Sequence, residues 1–149
     1  MYDLDYKLHW NLLSLVIIFI LSCLFVLPPN WFFADGSNLL NIVSDKIIHI
    51  CVFIFLSCWL SGQFKSNIKL LLCISLYGVL IESLQQLTPH RSAELSDILA
   101  NEIGIIIGII IAVKYLTGWS LVTERYVSML ISNKKNGWFI WGACWYKHQ

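Results

Sequence analysis

An uncharged stretch of 18 residues from Trp10 to Leu27 restricts the fold of this chain more than any other feature. At 1.5 Å per residue it forms a helix about 27 Å long, close to the thickness of the hydrocarbon core of a bilayer. Three further apolar runs follow at Asp45–Leu60, Ile68–Leu87 and Ile98–Leu116. The sequence therefore predicts an all-α fold, an integral membrane helical bundle with four transmembrane helices.

Composition supports a membrane protein and argues against a nucleic-acid partner. Hydrophobic residues make up 58% of the chain and charged residues 13%, against about 25% charged in soluble domains. Ten basic and nine acidic residues give a net charge of +1, which is too balanced for binding a phosphate backbone. Membrane lipids are the expected partners.

The basic residues predict the orientation, because cytoplasmic loops and tails are enriched in lysine and arginine. With the N-terminus inside, two basic residues, Lys46 and Arg91, fall on the outer side. Eight fall on the cytoplasmic side, namely Lys7, Lys65, Lys69, Lys114, Arg125, Lys134, Lys135 and Lys147. We therefore expect a multi-pass protein with cytoplasmic N- and C-termini and outward loops at Pro28–Ser44 and Thr88–Ser96.

The segment after the last apolar run, residues 117–149, differs from the membrane domain of residues 1–116. Its tryptophans are Trp119, Trp138, Trp141 and Trp145, and its lysines are Lys134, Lys135 and Lys147. Tryptophan and lysine together are typical of the headgroup layer. We predict a C-terminal interfacial segment on the cytoplasmic side.

Polar residues recur at helical spacing near the outer ends of three predicted spans. His49 lies four residues after Asp45, Gln85 and Gln86 follow Glu82, and Asn101 lies four residues after Asp97, so each set shares one helix face. Ionisable residues inside a membrane are costly and usually functional. Together with Arg91 in the adjoining loop, they predict a polar groove. Its expected ligand-binding residues are Asp45, His49, Glu82, Gln86, Arg91, Asp97 and Asn101.

Small residues at spacing four on the last span predict close helix packing beside this groove. They are Ala100, Gly104, Gly108 and Ala112, and Gly78 fits the same geometry on the third span. Glu102, about 100° around the helix from Asn101, is either a second wall of the groove or a contact between copies of the chain.

No metal or cofactor is expected from the sequence. A zinc site built from His49, Glu82, His90 and Asp97 is disfavoured because no close ligand pair such as H-x-x-x-H is present. The cysteines Cys23, Cys51, Cys58 and Cys73 lie in apolar runs without a C-x-x-C pair and are interpreted as small hydrophobic residues.

Four motifs occur in order between residues 45 and 112. They are the D-K-x-x-H block at Asp45, the E-x-x-Q block at Glu82, the arginine Arg91 and a final D-x-x-A-N-x-x-G block from Asp97 to Gly104. In this combination the chain resembles the VanZ-like family of small multi-span bacterial membrane proteins. The resemblance implies that the protein lies in the bacterial cytoplasmic membrane and has its role at the outer face of that membrane or at the cell wall. It also implies a link to teicoplanin resistance, with which the family's best-known member is associated.

Three functions are open at this point. The favoured one is a non-enzymatic protein whose groove binds a lipid headgroup, a lipid-linked envelope precursor or a glycopeptide. The second is an intramembrane enzyme in which Glu82 or Asp97 is the general base and His49 the acid. The third is a proton-coupled transporter, which with four short spans requires a homo-oligomer.

Overall fold

The computed structural model describes the backbone of residues 4–26, 38–87 and 95–131, and the side chains of 4–26, 45–87 and 95–131. Helices α1 (Lys7–Val26), α2 (Asn38–Ser61), α3 (Asn67–Gln85) and α4 (Leu95–Ile111) follow in order, and a π-helical turn at Ala112–Leu116 prolongs α4. A further helix, α5, covers residues 119–131, and these described residues contain no strand. The predicted all-α fold is confirmed for this part of the chain.

Among the described residues, three helical segments are long and apolar enough to cross a membrane. They are Lys7–Val26, Asn67–Gln85 and Leu95–Leu116, which correspond to the first, third and fourth predicted spans. Their outward side chains are large and apolar, as Phe19 on α1 illustrates with 69% of its surface exposed. Leu76 on α3 and Ile110 on α4 are similarly exposed. Such surfaces suit lipid contact rather than water.

The helices extend beyond the predicted apolar runs. The largest difference is α2, which begins at Asn38 rather than Asp45, and α4 begins at Leu95 rather than Ile98. Hydropathy marks only the apolar part of a helix, whereas polar turns can continue the same backbone hydrogen bonding. At α3 the start is set by Ser66, whose side chain accepts a hydrogen bond from the Lys69 backbone N–H, a normal N-cap.

The α2 and α4 helices pack together most extensively, through the small residues of α4. A Cβ atom on Gly104 would lie 2.6 Å from the Ile50 carbonyl oxygen, and one on Gly108 would lie 2.6 Å from the Ser57 Cβ. Ala100 and Ala112, at the two ends of the same stripe, are also buried. The small residues therefore allow the two backbones to approach closely.

The chain reverses at Gly118 after the π-helical turn, so that α5 lies against the start of α1. Gly118 has a φ of 65°, a conformation that glycine adopts without steric cost. On α5, the Glu124 carboxylate accepts hydrogen bonds from the Tyr6 backbone N–H at 3.0 Å and the Trp10 indole N–H at 2.7 Å. The first part of the predicted interfacial segment is therefore a helix fixed to the bundle. Trp138, Trp141 and Trp145 lie outside the described residues.

Candidate functional site

His49 is the centre of a buried polar cluster between α2 and α4. Its side chain is 0% exposed, and its Nδ1 lies 2.8 Å from the Asn101 Oδ1. An amide oxygen only accepts hydrogen bonds, so Nδ1–H is the donor in this contact, and the neutral form of the ring would carry its lone pair on Nε2. The ring of Phe25, at the end of α1, covers the imidazole with 4.5 Å between ring centroids.

Two contacts that involve carboxylates lie at or beside His49. His49 Nε2 is 4.0 Å from the Asp45 Oδ2, one turn earlier on α2. Lys46 Nζ is 3.0 Å from the Asp97 Oδ1 on α4. The side chains of Asp45 and Lys46 are 28% and 30% exposed, whereas that of Asp97 is 9% exposed. We call these five residues the His49 cluster: Asp45, Lys46, His49, Asp97 and Asn101. The cluster is therefore buried at His49 and accessible at Asp45 and Lys46.

The α3 helix borders the His49 cluster with two buried polar side chains, Glu82 and Gln85. Gln85 Nε2 donates a hydrogen bond to the Phe25 carbonyl oxygen at 3.0 Å. A Cβ atom on Gly78, one turn before Glu82, would lie 3.5 Å from the Asn101 Nδ2. Because residues four apart share a helix face, the Glu82 face of α3 is the one turned towards α4. Glu82 is 2% exposed.

Most of the predicted groove residues are thus brought together. The structure joins Asp45, His49, Asp97 and Asn101, and it places Glu82 at their border. Gln86 differs, because it is exposed at the end of α3 while its neighbour Gln85 is buried. A step of one residue turns the side chain by about 100°, and the sequence alone does not show which amide faces inward. Arg91 and His90 lie outside the described residues.

Three contributors were not assigned to the groove from the sequence. Lys46 belongs to the D-K-x-x-H block, but its partner Asp97 lies on another helix, and no spacing rule identifies it. Phe25 contributes both a ring and a backbone carbonyl, and an apolar residue in an apolar run gives no signal of this. Gln85 was counted in the polar set of the third span, but Gln86 was the glutamine expected to bind the ligand.

Glu102 makes a contact within the chain. Its Oε2 accepts a hydrogen bond from the Ser75 Oγ on α3 at 2.9 Å. This contact lies on the α3 side of α4, one residue beyond Asn101. Glu102 therefore supports packing between α3 and α4, whichever of its two predicted roles applies.

The His49 cluster is rich in metal-binding and acidic groups. One ligand atom each from Asp45, His49 and Asp97 lies within 4.8 Å of the others. With Glu82, the described polar residues here carry three carboxylates and one ammonium group, that of Lys46. The arrangement can hold a cation directly, or a polar headgroup through its basic and amide donors.

Apolar helices that enclose a charged cluster near one end define a helical membrane protein with a polar site. The VanZ/LLP1 family profile matches residues 7–118, from the start of α1 to the turn before α5. The chain therefore belongs to the VanZ/LLP1 family, as its four motifs predict. No curated protein and no solved structure matches the chain.

Proposed function

We propose that this protein binds the phosphate-bearing headgroup of a membrane lipid or lipid-linked cell-envelope precursor through the His49 cluster. The burial of His49, Asp97 and Asn101 among apolar helices carries this proposal. Burying polar and ionisable groups inside a membrane costs free energy, and such groups mark ligand or ion sites more often than packing contacts.

The proposal requires α2 to be a fourth span and the His49 cluster to face outward. The 24 residues of α2 correspond to a helix about 36 Å long, and α2 packs against α4 along the small-residue stripe. The excess of basic residues in the opposite loops and tails supports a location of the cluster at the outer face of the bacterial cytoplasmic membrane. There the site meets lipid headgroups and envelope precursors.

Donors suited to phosphate are present at this site. The Asn101 Nδ2 is buried and has no hydrogen-bond partner within the described part of the chain, so it can donate to a ligand oxygen. Lys46, which is partly exposed and paired with Asp97, is the cation that the described residues place at the open side of the cluster. Arg91 lies outside the described residues, and the sequence predicts that it adds a guanidinium, which matches phosphate in bidentate geometry.

Family membership extends the proposal to glycopeptide resistance. A protein that holds an envelope precursor at the outer membrane face changes how much of that precursor is accessible at the cell wall. We therefore propose that expression of this protein lowers the susceptibility of cells to teicoplanin, as the VanZ-like resemblance implies.

Lipid binding by the purified protein tests the proposal. Native mass spectrometry would measure the binding of phosphatidylglycerol, of a polyprenyl phosphate and of a diacylglycerol that lacks the phosphate. Each lipid would be measured in chelator and in Mn²⁺. We expect a preference for the two phosphate lipids that falls at least tenfold in His49→Gln and Asn101→Ala. Asp5→Asn removes an exposed carboxylate just before α1, away from the cluster, and this control should bind like the wild type.

Equal binding of all three lipids in both buffers would contradict the proposal. The same conclusion would follow if folded His49→Gln and Asn101→Ala proteins retained the preference. In either case the polar cluster would serve only to hold the helices together.

A further inference from the structure

We infer that the His49 cluster is a binding site for a divalent cation of the Zn²⁺ or Mn²⁺ type, with Asp45, His49 and Asp97 as ligands. This inference deepens the proposed function and rests on it only in placing a lipid phosphate beside the cation. It also revises the expectation from sequence, which considered His49 and Asp97 with Glu82 and His90. The geometric basis is the convergence of one ligand atom from each of the three residues within 4.8 Å.

The orientation of the His49 ring is fixed in the way that is usual for a metal-binding histidine. Its Nδ1–H donates to the Asn101 Oδ1 at 2.8 Å, so the neutral ring presents the lone pair of Nε2 to a metal ion. This atom is buried, has no hydrogen-bond partner among the described residues, and points to the Asp45 carboxylate at 4.0 Å. Metal-binding histidines generally donate their other N–H to an oxygen that fixes the ring, as Asn101 does here.

The ligand set indicates the class of metal. One imidazole and two carboxylates without a thiolate suit Zn²⁺ or Mn²⁺ better than thiophilic ions. Three protein ligands leave a coordination position open to water or to a phosphate oxygen, as in catalytic rather than structural zinc sites. Asp45 and His49 share one face of α2, and Asp97 comes from α4, so the ion would join two helices that already pack closely.

Metal binding would require only a small movement of the three ligand atoms towards one another. Ligands bound about 2.0–2.2 Å from zinc lie roughly 3.3 Å from one another in tetrahedral geometry, compared with 4.0 Å between Asp45 Oδ2 and His49 Nε2 and no more than 4.8 Å for any pair of the three ligand atoms. Asp45 is the most exposed of the three ligand side chains and lies at the open side of the cluster. Rotation of its side chain can supply this contraction.

Lys46 determines how tightly the cation binds. Its ammonium lies 3.0 Å from the Asp97 Oδ1 and neutralises a ligand that the metal needs. A divalent ion near Asp97 is also repelled by this positive charge. Removing the ammonium should therefore raise metal affinity, whereas an ion-pair network without a metal site would gain nothing from that removal.

The test uses the full-length protein in detergent, with purification tags removed and metals stripped by chelator. Isothermal titration with Zn²⁺, and Mn²⁺ titration followed by electron paramagnetic resonance, would measure the metal alone. We expect one saturable site, at least tenfold weaker in Asp45→Asn and in His49→Gln and at least threefold tighter in Lys46→Met. Asp5→Asn, which removes an exposed carboxylate before α1, is the acidic control and should bind like the wild type. Circular dichroism and size exclusion would establish that each variant is folded.

Absence of saturable binding in folded wild type and folded Lys46→Met would overturn the inference. Binding that persists in a folded Asp45→Asn/His49→Gln double variant would overturn it too, because the ion would then lie elsewhere. The proposed function fails separately. Metal binding without phosphate-lipid preference removes the lipid proposal alone, and lipid preference in chelator without metal binding removes the cation alone.

Discussion

At the residue scale, the contact between His49 and Asn101 joins two helices at a point where both side chains are buried. Each polar group loses its hydration there, and the hydrogen bond is what offsets that loss. Truncating one partner leaves the other buried without its bond, which costs about 1–3 kcal/mol. Truncating both removes the unsatisfied group as well.

Asn101→Leu and His49→Leu should therefore each lower the free energy of unfolding by about 1–3 kcal/mol. The double variant should lose clearly less than the sum, since residues in contact are not additive. Reversible unfolding in mixed micelles would measure all three variants. Strict additivity would show that the two side chains do not interact in the folded protein.

At the element scale, close packing of α2 on α4 depends on the absence of side chains at two glycines. At Gly104 a Cβ would meet the Ile50 carbonyl oxygen at 2.6 Å, and at Gly108 it would meet the Ile54 carbonyl oxygen at 2.8 Å. Backbone atoms cannot move aside as a flexible side chain can. At Gly78 the nearest atoms are side-chain atoms at 3.4 Å, an ordinary contact.

Gly104→Ala and Gly108→Ala should reduce the amount of folded protein in the membrane, and the corresponding leucine variants should reduce it further. Gly78→Ala is the matched control and should accumulate nearly as the wild type does. Quantitative immunoblotting of membranes, with size exclusion in detergent, provides the measurement. Normal accumulation of Gly104→Leu would mean that this side of α4 faces lipid.

A second element-scale contact fixes α5 to the start of α1. Glu124 accepts hydrogen bonds from the backbone N–H groups of Asp5 and Tyr6, each at 3.0 Å, and from the Trp10 indole. The rings of Trp10, Trp59 and Trp119 contact one another beside it, with 5.1–6.0 Å between centroids. Free N–H groups at a helix start need acceptors, and here α5 supplies one.

Glu124→Ala should therefore release α5, increasing its cleavage by a soluble protease and lowering the free energy of unfolding by about 1–3 kcal/mol. Arg125→Ala, at the neighbouring exposed position, should change neither. Limited proteolysis with mass-spectrometric mapping would locate the cut sites. Equal protection of the two variants would show that the carboxylate does not hold α5.

The sequence predicted the elements better than the contacts between them. Apolar length identified the helices, three of which are long and apolar enough to cross a membrane, and i, i+4 spacing placed Asp45 with His49 and Asp97 with Asn101. The choice of Gln85 over Gln86, and of Asp97 as the partner of Lys46, depends on how each helix is rotated in the bundle. Glu124 binds residues more than a hundred positions earlier, a pairing that no local pattern indicates.

At the scale of the whole molecule, polar contacts gather at two opposite ends of the bundle. The His49 cluster lies beside the middle of α2, where α1 and α3 end and α4 begins, and Glu124 lies where α1 begins. If the excess of basic residues marks the cytoplasmic side, the His49 cluster faces outward and α5 faces the cytoplasm. The proposed binding of outer-face headgroups and envelope precursors depends on this orientation.

Single-cysteine labelling in a cysteine-free background tests the orientation. A cysteine replacing Ser37, in the predicted outer loop, should react with an impermeant maleimide in intact cells. A cysteine replacing Lys65, exposed between α2 and α3, should react only after lysis. The reverse pattern would place the His49 cluster on the cytoplasmic side.

The central claim is that the His49 cluster binds a ligand and does not merely hold helices together. Exchanging the charges of Lys46 and Asp97, as Lys46→Asp with Asp97→Lys, separates the two roles. An ion pair that serves only stability survives such an exchange, whereas neutralising one partner leaves a buried charge uncompensated.

The decisive measurement is phosphate-lipid binding by this exchanged variant, made on protein whose thermal stability in detergent is determined in parallel. We predict stability close to that of the wild type with a loss of phosphate-lipid preference of at least tenfold, because the ammonium and the carboxylate have changed places around His49. Wild-type lipid preference in the folded, exchanged protein would contradict the account.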